Sequence, residues 1–541
     1  MESGRESTDR VEGYWAAVTY QIAAIAGFYT LVLAVGLRAA RTERKEDSTG
    51  NLLLAGRKMP LWVGIFTMTA TWVGGGYING TAEAVYSRSQ GLVWAQAPWG
   101  YALSLVLGGW FFAKPMRRAG YTTLLDPFAA RYDRRVAAVL FFPALLGEVF
   151  WSAAILLALG TTFAAVFDLP FELSIIVSAA VAVGYTLCGG LWSVAWTDVL
   201  QLGLIAIGLG LAIPFAYGGA GGFEHVTMTY WKQMPAFPQG IQIWPWLDAA
   251  LMLILGGIPW QVYFQRVLAC RTPQAAARLS VGSGIASLLM ALPAIGLGMV
   301  ASVVDWSVVG AEPPPSDAVV LPYALKYLTP PAVALLGLGA ISAAVMSSVD
   351  SSILSASSLF TWNVYRPLFR PGATDRQLRR TLRTTIVLVG TLGTLLALRL
   401  QSVYALWFLC ADLAYVILFP QLVTALFARR TSSAGAIAGA AVGLLARLCG
   451  GVPELGLPCW FEHPWQAELG DSLPVRTIAM LSSWLTIVVV SRMRPPTQRW
   501  SPRGAPGKVE AARDVVEGKQ QRGDEESAMG IGELQEQQGD G

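Results

Sequence analysis

The chain has 541 residues, of which 54% are hydrophobic and only 14% charged, and its formal net charge is +4. With a mean hydropathy of +0.49, that balance excludes a string of soluble domains and points to a polytopic membrane protein. The only histidines, His225 and His463, read as loop residues, which argues against a histidine-ligated metal or a histidine-dependent catalytic centre in the membrane.

Taken in chain order, residues 1–13 are polar, and the apolar run 14–37 is long enough to span rather than to be cleaved as a signal. A crossing needs about 20 mostly apolar residues. Thirteen runs meet that length: 14–37, 60–84, 92–113, 137–166, 173–190, 195–217, 247–267, 280–303, 328–362, 382–399, 402–427, 433–450 and 476–493. The runs 137–166 and 328–362 exceed one crossing, so tilt or helical extensions are expected. The tail 494–541 is rich in Pro, Gly, Glu and Gln and is expected to be disordered. Cys188, Cys270, Cys410, Cys449 and Cys459 are scattered, and Cys449 and Cys459 either pair near the outer face or stay free.

Loop charge sets the orientation, because basic residues collect on the cytoplasmic side. The first connection holds Arg38, Arg41, Arg44, Lys45, Arg57 and Lys58, and the ninth holds Arg366, Arg370, Arg376, Arg379, Arg380 and Arg383. The third (Lys114 to Arg135), the seventh (Arg266, Arg271, Arg278) and the eleventh (Arg429, Arg430) follow suit. Even-numbered connections are poor in bases and carry acids such as Asp305, Glu312 and Asp317. This phasing places the N-terminus outside and the C-terminus inside.

Two runs are interrupted. Thr69-Ala70-Thr71-Trp72-Val73-Gly74-Gly75-Gly76-Tyr77-Ile78-Asn79-Gly80-Thr81 carries three consecutive glycines, each unfavourable by about 1 kcal/mol relative to alanine inside a helix. Leu255-Gly256-Gly257-Ile258-Pro259-Trp260-Gln261 repeats the pattern. The second to eleventh spans divide into two sets of five, about 60–217 and 247–427, and each set begins with its broken helix. Five is odd, so the sets have opposite orientation, which is the inverted-repeat plan with its site near the midplane beside the breaks. Asn79-Gly80-Thr81 matches a glycosylation sequon, but its place at a break makes a sugar there unexpected.

Aromatic residues recur at the inferred midplane: Trp72, Tyr101, Trp151, Trp260 and Trp407. A quaternary ammonium has no N–H to donate and is held instead by ring faces, at roughly 0.5–2 kcal/mol each. For any single tryptophan the plainer reading is an interfacial anchor, since the chain has 20. The breaks free backbone carbonyls, hard oxygen ligands suited to Na⁺. The ninth span adds Ser347-Ser348-Val349-Asp350-Ser351-Ser352, a packing feature in the ordinary case. Asp350 tips that balance, because an ionisable group inside a span is costly and by default functional. Glu83, Glu148, Asp198 and Asp412 lie within spans or at their ends, and function, interface and structural pairing stay open for each.

Those blocks, together with Trp94-Ala95-Gln96-Ala97-Pro98 and Phe112-Ala113-Lys114-Pro115-Met116-Arg117, resemble the choline-transporting branch of the sodium/solute symporter family over about residues 50–495. The resemblance implies a leucine-transporter-like core and Na⁺- and Cl⁻-dependent choline uptake, blocked by hemicholinium-type inhibitors and supplying acetylcholine synthesis. It implies no enzyme activity, no cofactor beyond the coupling ions and no nucleic-acid partner. Membrane lipid is the surrounding medium, and a homo-oligomer stays open. The plasma membrane, presynaptic terminal and synaptic vesicle are the implied locations. Trp72, Tyr101, Trp151, Trp260 and Trp407 match the family's choline-binding aromatics. Its sodium-site positions fall on Thr69 and Trp72 through carbonyls, Ala344 through its carbonyl, and Ser347 and Ser348 through hydroxyls, with Asp350 matching an acid implicated in coupling. Asp305-Trp306-Ser307 stands where that branch carries a sequon, and the short tail lacks a clear endocytic dileucine signal. A symporter for a sugar or amino acid is the runner-up, and a channel or membrane enzyme a more distant alternative.

Overall fold

The computed structural model describes residues 27, 30–39, 49–167, 170–399, 403–452, 457–460 and 473–495. The expected outer segment 1–13 and nearly all of the tail lie outside the described residues. Among those described the architecture is helical, with two isolated bridges, Met59–Cys270 and Val452–Leu457. Eight helices are long and apolar enough to cross a membrane by length and composition. Four further apolar helices, Thr30–Ala39, Leu61–Trp72, Phe171–Gly184 and Ser433–Cys449, are shorter. Exposed side chains such as Trp110, Phe142 and Leu289 give the outside an apolar face suited to lipid.

The first set comprises α1 (Leu61–Trp72), α2 (Gly75–Tyr86), α3 (Ala97–Leu107), α4 (Arg134–Phe167) and α5 (Phe171–Gly219). The second comprises α6 (Ile243–Gly256), α7 (Gln261–Ala269), α8 (Pro273–Val303), α9 (Pro331–Leu359), α10 (Asp375–Arg399) and α11 (Val403–Leu413). Two accessory helices follow, α12 (Ser433–Cys449) and α13 (Val475–Met493). The breaks fall where the glycines predicted them, between α1 and α2 and between α6 and α7. The four-residue connection expected after residue 190 is replaced by one tight turn at Gly190, whose φ is 56°. There a Cβ would stand 3.0 Å from the Leu52 carbonyl oxygen, so backbone approach as well as left-handed geometry demands glycine.

α9 lies at the centre, packed on α5, α4 and α1. Every residue from Ala340 to Leu359 is buried. Its eight serines are therefore core residues, and their hydroxyls must bond within the protein.

Sequence reading missed the helix Phe223–Gln233, which places His225 on a helix rather than in a loop. His463 lies outside the described residues. Asn79 is buried on α2, out of reach of a glycosylating enzyme. Where the sequon is missing, Asp305 instead caps the turn Trp306–Val309, accepting from the Ser307 amide at 3.0 Å and hydroxyl at 2.6 Å. Those bonds hold its carboxyl below the usual range.

Candidate functional site

The first break is short. Val73 leaves the helix at ψ 54°, and Gly74 is extended, with ψ 179°. Glycine is required because this backbone presses on α9. A Cβ on Gly74 would lie 2.2 Å from Ser348 Oγ, and one on Gly75 would lie 2.4 Å from Val345 Cγ2. The close approach lets α9 serve the orphan carbonyls at the end of α1. Ser347 donates to the Ala70 carbonyl at 2.9 Å, and Ser348 to the Thr71 carbonyl at 2.9 Å. Both hydroxyls also reach the Ala344 carbonyl, at 3.0 and 3.2 Å.

The proposed ion ligands therefore cluster on one seam between α1 and α9. Thr69 sits in the last turn of α1, where its carbonyl accepts from the Val73 amide at 2.8 Å and its hydroxyl bonds back to the Ile65 carbonyl at 2.7 Å. Trp72 closes the helix. A helix C-terminus carries partial negative charge, which favours a cation there. Asp350 is fully buried on α9, and Ser351 donates to it at 3.2 Å. The donor set of carbonyls and hydroxyls is hard oxygen, which suits Na⁺ better than a transition metal.

At the second break Ile258, Pro259 and Trp260 interrupt the helix, and Trp260 is extended at φ −109° and ψ 138°. Its indole N–H donates to the Gly256 carbonyl at 2.7 Å, so the tryptophan caps the helix it interrupts. The ring is thereby fixed, and it packs edge-on against Trp151 at 5.5 Å.

Between the breaks lies a cavity of about 460 Å³, counting its mouth. Trp72, Tyr77, Tyr101, Trp151 and Trp260 form its aromatic lining, with Ile155, Val262 and Cys410 between them. Tyr77 stacks on Tyr101 at 6.4 Å and is held by donating to the Ser287 carbonyl at 2.8 Å. Four of the five aromatics read from the sequence thus meet in one cavity. The fifth, Trp407, stands on α11, but its side chain lies outside the described residues. Tyr77 was missed, although it lies within the glycine-rich block that marked the break.

A second omission is ionic. Arg266, assigned to a cytoplasmic connection by its position at the end of a run, is instead 0% exposed on α7. It pairs with Asp198 of α5 at 3.1 Å and donates to Ser351 at 2.7 Å and to Thr67 at 3.1 Å. Thr67 also donates to Asp198, and Thr71 lies 3.2 Å from Ser351. This network ties α1, α5, α7 and α9 together beside the seam between α1 and α9. The signal available beforehand was Asp198 itself, an acid inside a span that needed a partner of opposite charge. Asp412 likewise is structurally paired, with Arg447 at 2.6 Å and Arg476 at 2.8 Å.

Two broken helices around a lined cavity, set in inverted repeats, define a transporter of the leucine-transporter-like fold. The fold is shared with a Na⁺-coupled sialic acid symporter solved in a substrate-bound outward-open state, at TM-score 0.74 and 18% identity, over 89% of this chain and 99% of that one. The sodium:solute symporter family model matches residues 52–443, and the chain belongs to that family. It is therefore a transporter and not an enzyme. Among its relatives, the high-affinity choline transporter 1 of Caenorhabditis elegans is 45% identical over 491 residues, spanning 87% of this chain and 84% of that protein. The high affinity choline transporter 1 of Homo sapiens is 46% identical over 486 residues, spanning 86% and 84%.

Proposed function

We propose that this chain carries choline across the plasma membrane, driven by Na⁺ and dependent on Cl⁻, by alternating access. The observation that carries this reading is the cavity wall. Among the described residues its lining is aromatic and apolar, with no carboxylate or amide side chain. A sugar needs convergent hydrogen-bonding groups, and an amino acid needs a site for its carboxylate. A quaternary ammonium needs neither and is held by ring faces. The names of the relatives at 45–46% identity support the same cargo.

In this reading Trp72, Tyr77, Tyr101, Trp151, Trp260 and Trp407 enclose the trimethylammonium group. Na⁺ is held by carbonyls of Thr69, Trp72 and Ala344 and hydroxyls of Ser347 and Ser348, with Asp350 aiding coupling. Trp72 belongs to both sites, so ion binding orders the segment that completes the cage. Inward rocking then exposes both cargoes, and the membrane potential favours entry by about 2.3 kcal/mol per charge per 100 mV. We assign thirteen crossings within 14–493, the N-terminus outside and the tail inside. Hemicholinium-type block, supply of acetylcholine synthesis and residence in presynaptic and vesicle membranes complete the proposal. Chloride dependence is included without an assigned residue.

Radiolabelled choline uptake in transfected cells tests this reading. Replacing Na⁺ with another monovalent cation is expected to reduce uptake to background, and replacing Cl⁻ with gluconate to reduce it strongly. Uptake unchanged without Na⁺ would overturn the coupling. Asp350→Asn is expected to raise the Na⁺ concentration for half-maximal uptake, and an unaltered Na⁺ titration removes Asp350 from the ion pathway.

A further inference from the structure

Glu148 is an acid on α4, 1% exposed, that neither the ion seam nor the aromatic lining uses. Ser352 of α9 donates to its Oε2 at 3.0 Å and to its carbonyl at 2.8 Å, and Ser152 donates to Ser352 at 2.9 Å. The backbone amide of Val262, in the first turn of α7, lies close enough to act on its charge. Its other oxygen, Oε1, is buried with no hydrogen-bond partner. Among the described residues no basic side chain forms an ion pair with Glu148, and Arg266, whose charge reaches it, is already paired with Asp198.

The position of this carboxylate is fixed by what surrounds it. Val262, whose amide is near it, lines the cavity. Trp151, also lining, follows three residues later on the same face of α4. The adjoining Gly147 packs on two more lining residues: a Cβ there would stand 3.6 Å from the Cys410 carbonyl oxygen and 3.8 Å from the Trp260 ring. Glu148 therefore lies one layer behind the wall, against the positive end of α7.

Aromatic rings alone do not explain selection of a cation. Their faces attract an ammonium, yet they also accept a neutral branched alkyl group by simple burial. A buried, incompletely partnered carboxylate is costly, and a cation entering the cavity offsets part of that cost. Solvent ions do not screen such a buried pair.

Resting on the choline reading above, we propose that Glu148 supplies the counter-charge of the cavity. It makes the site select a permanently cationic solute over a neutral molecule of the same shape. It acts through space from behind the rings and is a specificity-determining residue.

The test is competition against radiolabelled choline uptake in cells expressing the full chain. The competitors are unlabelled choline and its neutral carbon isostere, 3,3-dimethylbutan-1-ol, with surface protein measured in parallel. Glu148→Gln is expected to weaken choline and leave the neutral alcohol nearly unchanged. The ratio of the alcohol's half-inhibitory concentration to that of choline then falls at least about tenfold, the scale of one unscreened charge pair several ångströms apart in a protein interior. Equal weakening of both competitors, or an unchanged ratio, would overturn the inference and leave Glu148 as a structural strut. Glu148→Asp keeps the charge and is expected to hold the ratio within about threefold of the parent. If the glutamine variant does not reach the surface, a tenfold loss of ratio in the aspartate variant overturns the inference instead. Parent chain lacking Na⁺-dependent choline uptake would sink the proposed function itself, a result distinct from either.

Discussion

The two broken helices solve the same backbone problem in opposite ways. Between α1 and α2 the freed carbonyls of Ala70 and Thr71 turn outward and accept hydroxyls from α9. Between α6 and α7 the freed carbonyl of Gly256 turns inward and accepts the indole N–H of Trp260 from the same break. The first break is open to its neighbour, so whatever binds between α1 and α9 acts on the backbone of α1 directly. The second is closed on itself, which fixes Trp260 as a rigid wall. In the proposed reading one break serves coupling and the other shape, although both read as glycine-rich interruptions beside a tryptophan.

Three substitutions press on that contrast. Gly74→Val puts a branched side chain where even a Cβ would lie 2.2 Å from Ser348 Oγ. The seam between α1 and α9 must separate, and Na⁺-dependent uptake is expected to fall to background with protein still at the surface; normal uptake would show that the close approach is dispensable. Trp260→Phe keeps a ring but removes the capping N–H. A neutral hydrogen bond is worth about 0.5–1.5 kcal/mol net. A drop in choline affinity of up to about tenfold, with the Na⁺ titration unshifted, is expected from uptake kinetics. A shifted Na⁺ titration would mean that the second break also couples to the ion. The smallest effect belongs to Gly80→Ala on α2, where a Cβ meets nothing within 4 Å. Alanine is favoured over glycine in a helix by up to about 1 kcal/mol, so uptake should persist and the detergent-solubilised protein should melt slightly higher. Loss of uptake there would place a hinge in α2 rather than at residues 73–74.

Much of the fold was legible along the chain. The apolar runs, the two interruptions and their opposed placement all follow from local properties: about 20 apolar residues to cross a bilayer, and glycine where a helix fails. The aromatic site was legible in part, because Trp72 and Trp260 stand beside the breaks and Trp151 and Tyr101 stand at matching depth. Tyr77 was not, since a tyrosine one turn past a break looks like any other helix residue until the helix is placed against α3. Arg266 was misplaced for a related reason. Charge counting treats a base near the end of a run as a loop residue, and only the approach of α5 buries it beside Asp198.

The amino-acid order alone settled that the chain crosses a membrane repeatedly, where its helices break and that tryptophans flank the breaks, because hydrophobic length and backbone propensity act between near neighbours. Tertiary structure decided which carbonyls face α9 and which carboxylate stands behind the cavity wall. Those are pairings between residues 277 apart for Ser347 and Ala70 and 204 apart for Ser352 and Glu148. Hydrogen bonds and charge act over a few ångströms, so their partners exist only once the helices have packed.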